Sequence, residues 1–158
     1  MGCCVSEQPN LASSKTTGLV GGAAPRLLVV EDDTLHRMMI CRVAANAGYM
    51  PAGAATCDEA VELLQKSEFD CLTLDLSLGA HDGNQLLLHL SASGCDAHII
   101  IVSGCDDVRR QESAAFAKSL GLRVSETIAK PVDLVVLRYW LERLKTEYVA
   151  AAAAAVAV

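Results

Sequence analysis

Aromatic side chains supply only 4% of this 158-residue chain, so aliphatic groups must fill whatever core it builds. An excess of basic charge is also missing: 13 Lys and Arg stand against 19 Asp and Glu, a formal net charge of −6. A surface that tracks nucleic-acid phosphates needs a cationic face, so direct nucleic-acid binding is not expected. Long apolar runs are absent. The longest, residues 149–158, is mostly alanine and falls short of the roughly 18 residues of a membrane span. No basic stretch followed by an apolar one opens the chain, so no secretory leader is expected and the expected compartment is the cytoplasm. The seven cysteines include no Cys-x-x-Cys pair. Cys41 and Cys71 lie inside apolar stretches, as small buried hydrophobes do in a reducing compartment.

What is present suffices for a core. A hydrophobic fraction of 52% with 20% charged residues excludes disorder for the bulk of the chain. Residues 1–25 are rich in Ser, Thr, Gly, Asn and Pro without periodicity and read as a flexible tail. From Arg26 onward, strand-length apolar runs alternate with helical patterns five times. The strands are expected at 27–30, 50–54, 71–76, 99–102 and 122–127. Thr56 and Glu59 have the spacing of a capping box for the second helix. Asp106 is the expected cap of a fourth helix that meets neither Gly nor Pro until Gly121. Leu134, Leu137, Leu141, Leu144 and Tyr148 step by three and four along a last helix. Residues 26–148 thus form one domain, and the Ala/Val-rich tail 149–158 is expected to prolong or fray its final helix. Five strand–helix alternations predict an α/β fold, a parallel sheet covered on both faces.

In such sheets, ligand chemistry gathers at the carboxyl ends of the strands. The first strand runs into Glu31, Asp32 and Asp33, the third ends at Asp75, the fourth at Ser103, and the fifth leads to Lys130. Clustered carboxylates repel unless a cation neutralises them. Mg²⁺ or Mn²⁺ suits oxygen donors of this kind, with one or two carboxylates supplemented by phosphate oxygens. A lysine and a hydroxyl are then left for the remaining phosphoryl oxygens, as phosphoryl transfer requires. Asp75 is the candidate nucleophile, because it ends a central strand within reach of both metal and lysine.

The runs LLVVEDD (27–33), LDLSLGAHDG (74–83), IIIVSG (99–104) and AKP (129–131) resemble, in order and spacing, the receiver domain of two-component response regulators. The resemblance covers roughly residues 26–148. It implies a flavodoxin-like (βα)₅ doubly wound sheet in strand order 2-1-3-4-5 that accepts a phosphoryl group from a histidine kinase or a histidine phosphotransfer protein. By the same resemblance Asp75 is the phosphoacceptor, Asp32 a direct metal ligand and Glu31 a water-mediated one. Ser77 offers its backbone carbonyl to the metal, Ser103 the switch hydroxyl and Lys130 the phosphoryl-binding ammonium, with a cis Lys130–Pro131 bond. A stand-alone receiver of this type is a phosphoacceptor with self-phosphorylation and autodephosphorylation, not a turnover enzyme. It signals by protein contact or serves as a phosphorelay intermediate or phosphate sink.

Two positions depart from the family pattern. Thr127 replaces the switch aromatic three residues before the lysine, and Gly79 stands where a proline is common; both bear on how phosphorylation is reported to a partner. A non-phosphorylated pseudo-receiver is the alternative, opposed by the full set of Asp75, Ser103 and Lys130. A haloacid-dehalogenase-type phosphatase would need a second Asp two residues past the nucleophile, where Ser77 stands. Asp33 reads as a solvated loop acid, His81 as a loop histidine, Cys105 as a structural thiol, and Arg138, Arg143 and Lys145 as a solvated helix face. The opening Met1-Gly-Cys-Cys-Val-Ser6 fits an acylation pattern at Gly2, Cys3 and Cys4. Lipid anchoring there is expected only in a eukaryotic cell, and a short unmodified tail is the preferred reading.

Overall fold

The computed structural model describes residues 23–79 and 81–157, so Gly2, Cys3 and Cys4 lie outside the described residues. The element order is β1 (Arg26–Val30), α1 (Thr34–Asn46), β2 (Met50–Ala54), α2 (Cys57–Lys66), β3 (Cys71–Leu74), β4 (Ser77–Leu78), β5 (His81–Asp82), α3 (Gly83–Ala92), β6 (His98–Ser103), α4 (Asp107–Ser119), β7 (Arg123–Ala129) and α5 (Leu134–Val156). β1, β2, β3, β6 and β7 form one sheet in the order β2-β1-β3-β6-β7, every pairing parallel. Counted along these five, the order is the expected 2-1-3-4-5.

Alternation along the strands sends side chains to two separate cores. Leu28, Val30, Leu72, Leu74, Ile99 and Ile101 pack with Ala60 of α2, Leu86, Leu87 and Leu90 of α3, and Ala114 and Ala117 of α4. Leu27, Val29, Cys71, Ile100 and Val102 face the other way, against Ile40 and Ala44 of α1 and Leu137, Leu141 and Leu144 of α5. Both faces are therefore dry. That explains why the central strands read as continuous apolar runs rather than alternating ones.

The helix starts obey their capping chemistry. Thr56 Oγ1 accepts from the Glu59 amide at 3.1 Å, and the Glu59 carboxylate answers by accepting from the Ala55 amide at 2.7 Å. Asp106 Oδ1 accepts from the Arg109 amide at 2.8 Å. At the far end of α4, Gly121 adopts φ +80°, the left-handed stop that a side chain would resist.

The strand bounds differ from the sequence expectation by at most two residues, most consequentially at β3 and the loop that follows it. β3 closes at Leu74, which leaves Asp75 just beyond the ladder although its amide still bonds Val30 O at 3.0 Å. The antiparallel β4–β5 ribbon, Ser77 against Asp82 and Leu78 against His81, is new. Two residues a side are too few to print a period in the sequence. Of the two fates expected for the alanine run, the structure shows the first: α5 continues through it to Val156. Alanine loses the least side-chain freedom in a helix, so the run prolongs rather than frays it.

Candidate functional site

β1 ends against β3 at the middle of the sheet, so the chain leaving each strand turns over the same carboxyl edge. Glu31 and Asp75 are buried there beside the more exposed Asp32. One carboxylate oxygen from each of the three lies within 4.8 Å of the others. Lys130, carried past the end of β7, brings its Nζ to 2.6 Å from Glu31 Oε2 and 2.8 Å from Asp75 Oδ2. The Lys130 amide bonds Ser103 O at 3.0 Å, which ties the lysine loop to the end of β6. Ser103 itself is fully buried. The Lys130–Pro131 bond is cis, as the resemblance implied.

The geometry explains the electrostatics. Burial raises Glu31 above its ordinary value, and the neighbouring Asp75 charge adds to the rise, while the Lys130 ammonium opposes it. Burial pulls Lys130 down, but its contacts with Asp75 and Glu31 outweigh that and hold it above the usual lysine range. The lysine therefore stays charged between two buried acids. The other Asp75 oxygen, Oδ1, accepts from the Ser77 amide at 2.9 Å. Three convergent carboxylates with one ammonium are hard oxygen donors with unspent negative charge, which fits a divalent cation of the Mg²⁺ type.

Two further residues shape this edge without having been singled out in the sequence. Arg37, at the end of the first turn of α1, donates through Nη1 to Glu31 O at 2.7 Å and Asp32 O at 3.2 Å, so it clamps the acidic loop by its backbone. Gly83, at the start of α3, lies so close to the Asp75 strand end that a Cβ would stand 2.9 Å from both Asp75 O and Leu76 Cα. No sequence motif announces a guanidinium bound to carbonyls. The glycine was visible as the end of the LDLSLGAHDG run.

Other singled-out residues are placed as follows. Asp33 is the N-cap of α1, accepting from the His36 amide at 2.8 Å, and that bond lowers its pKa. Arg138 and Arg143 pair along α5 with Glu142 and Glu147 on the solvated face, as expected. Lys145 departs from that expectation. It crosses to α1, where its ammonium donates to Ala47 O at 3.2 Å and satisfies a carbonyl at the helix end. Thr127 is half-buried in β7 and accepts from Gln111 Nε2 of α4 at 3.4 Å. Cys105 is a half-buried thiol packed against the larger core. The His81 side chain lies outside the described ones.

Comparison with known proteins gives this arrangement its class. The family model for the response regulator receiver domain matches residues 27–142, and this chain belongs to that family. It is 29% identical over 127 residues to the regulatory protein VirG of Agrobacterium tumefaciens, a match covering 80% of this chain and 45% of VirG. It is 31% identical over 108 residues to the swarming motility regulation protein RssB of Serratia marcescens, covering 68% of this chain and 47% of RssB. The chain thus spans less than half the length of these two relatives. Among solved structures, a response regulator from Colwellia psychrerythraea matches with a TM-score of 0.70 at 24% identity over 79% of this chain and 99% of that one. A Burkholderia pseudomallei response regulator, solved with a phosphorylated aspartic acid, a calcium ion and citrate, matches with a TM-score of 0.64 at 26% identity over 80% of this chain and 71% of that one. The fold is the flavodoxin-like receiver fold of two-component signalling. No helix among the described residues is long and apolar enough to cross a membrane.

Proposed function

We propose that Asp75 accepts a phosphoryl group from a phosphohistidine on a histidine kinase or histidine phosphotransfer protein. The observation that carries this reading is the shared lysine: Lys130 Nζ lies within 2.8 Å of both Glu31 and Asp75 while the three acids converge within 4.8 Å. In the step proposed, an Asp75 carboxylate oxygen attacks phosphorus, the P–O bond forms as the P–N bond to the donor imidazole breaks, and that imidazole leaves with the bonding pair and takes up a proton. Lys130 follows the charge from the carboxylate to a phosphoryl oxygen. Ser103, buried at the end of β6, is proposed to donate its hydroxyl to a second one. The Ser77 amide on Asp75 Oδ1 orients the nucleophile. Asp32 and Asp75, with the Ser77 carbonyl and a water held by Glu31, are the groups proposed to hold Mg²⁺ or Mn²⁺. The ion would supply charge neutralisation between carboxylates and the incoming phosphoryl group. The phosphorylated aspartate of the Burkholderia regulator supports the assignment by analogy.

Residues 26–148 are further proposed to act as a cytoplasmic receiver, signalling by protein contact or relaying phosphoryl groups, with intrinsic self-phosphorylation and autodephosphorylation instead of substrate turnover. The experiment is intact-mass analysis after acetyl phosphate treatment with Mg²⁺. One phosphoryl adduct is expected on the wild type and none after chelation. Uptake at the wild-type rate by Asp75→Asn overturns the assignment.

A further inference from the structure

The first turns of α4, just past the loop that follows Ser103, contain a buried cation to which the proposed phosphoryl step gives no role. Arg110 lies in the first turns of α4 and is 7% exposed. Its Nη1 donates to Cys105 O at 3.0 Å, and its Nη2 pairs with the Asp107 carboxylate, itself almost fully exposed. Nε is buried with no hydrogen-bond partner among the described residues. This is a costly place for a guanidinium. The helix dipole favours anions at an N-terminus, burial removes hydration, and the pairing with an exposed carboxylate returns little of either. What the side chain secures is the loop. Cys105 has both backbone polar groups committed there: its carbonyl to Arg110, and its amide to Ser103 Oγ at 3.4 Å. On the other side of the same loop, an added Cβ on Gly104 would stand 3.9 Å from the Lys130 side chain.

We infer that Arg110 is a positioning residue for Ser103: by pinning the Cys105 carbonyl, it fixes the residue whose amide donates to the Ser103 hydroxyl. This rests on the phosphoacceptor reading above. The position follows from helix geometry, since side chains lean toward the helix N-terminus and residue 110 therefore covers the loop before Asp107. Arginine suits the role better than lysine because its planar fork serves two acceptors at once. With Thr127 in place of an aromatic, the loop's conformation depends on this clamp and on the Gln111–Thr127 contact instead of on a large ring.

The test is a double-mutant cycle read by the rate of phosphoryl uptake from acetyl phosphate at saturating Mg²⁺. Arg110→Met, which keeps the apolar stem, should slow uptake about threefold to tenfold in the wild-type background, the scale of a lost positioning interaction. It should have no further effect in Ser103→Ala, because the two residues act as one unit. Arg110→Lys should fall between Met and wild type, and it keeps the test open if the Met variant folds poorly. Amide exchange supplies a readout that needs no phosphorylation: the Cys105 amide should lose protection in Arg110→Met while the β3 and β6 amides keep theirs. Equal slowing in the Ser103→Ala background, or wild-type rates with wild-type Cys105 protection, would overturn the inference. Absence of any adduct on the wild type would refute the phosphoacceptor reading instead, and the exchange arm would still decide whether Arg110 holds the loop.

Discussion

Lys130 is the residue on which the acidic edge depends. Without its ammonium, Glu31 and Asp75 would face each other buried and unpaired, and removing one partner of a buried pair costs more than the pair itself contributes. Lys130→Met is expected to destabilise the metal-free protein by about 2 kcal/mol in urea denaturation. Millimolar Mg²⁺ should return part of that loss, since a ligand preferring the folded state stabilises it. A variant as stable as wild type in chelator would contradict this. Gly83 matters for a steric reason. Gly83→Ala places a methyl 2.9 Å from backbone atoms of Asp75 and Leu76, neither of which can swing aside as a side chain would. A loss of about 1–3 kcal/mol is expected, the usual cost of overpacking, together with weaker Mg²⁺ binding because Asp75 must shift. Unchanged Mg²⁺ affinity by calorimetric titration would separate this glycine from the site. The residues at the strand ends were legible in the sequence because titratable groups following apolar runs are informative. Arg37 and Arg110 were not. A guanidinium that binds backbone carbonyls leaves no mark in the pattern of its neighbours.

At the scale of elements, the caps carried most of the legible signal. Thr56, Asp106 and Gly121 stand at the ends of α2 and α4 where their chemistry demands, and five strands were recoverable from apolar runs bounded by polar turns. The β4–β5 ribbon was hidden because two-residue strands have no periodicity, and the alanine run left open whether α5 would be prolonged or frayed because low-complexity sequence has no apolar period. The buried residues of that helix are Leu137, Leu141 and Leu144, while Val149 and Val156 are exposed. Ending the chain at Ala151 should therefore lower the helical circular-dichroism signal yet change unfolding stability by less than about 0.5 kcal/mol. A larger loss would mean that the extension packs on the domain. At the opposite edge of the sheet, His98 opens β6 with Nδ1 2.9 Å from Ser125 Oγ. Burial, aided by Arg123, lowers its pKa below 6.5, with Glu147 opposing. The unfolded chain then binds the proton more readily, so stability is full above about pH 7 and is lost as pH falls through 6.5 toward the folded value. Denaturation at pH 7.5 and 5.5 should show this loss in wild type and a smaller one in His98→Asn; equal losses would remove His98 as the cause.

The whole molecule divides its labour between two dry cores and one charged edge. Leu28 and Leu27 illustrate the first point: adjacent residues on one strand belong to separate clusters, which holds the central strands rigid from both faces. Rigid strand ends are what allow Glu31, Asp75, Ser103 and Lys130, scattered over a hundred positions of sequence, to meet. The strand order was legible because the alternation of elements and the motif order agree with one family, whereas the conformation of the loop from Ser103 to Asp107 was not, because the Cys105 carbonyl is held by a side chain five residues on. Trapping the acyl phosphate tests the central claim most directly. Wild-type protein treated with acetyl phosphate and Mg²⁺, then reduced with borohydride, should yield homoserine at position 75 by tandem mass spectrometry, since reduction converts an aspartyl phosphate to that alcohol. Homoserine at Asp32 or Asp33, or at no position despite a phosphoryl adduct, would contradict the assignment of Asp75.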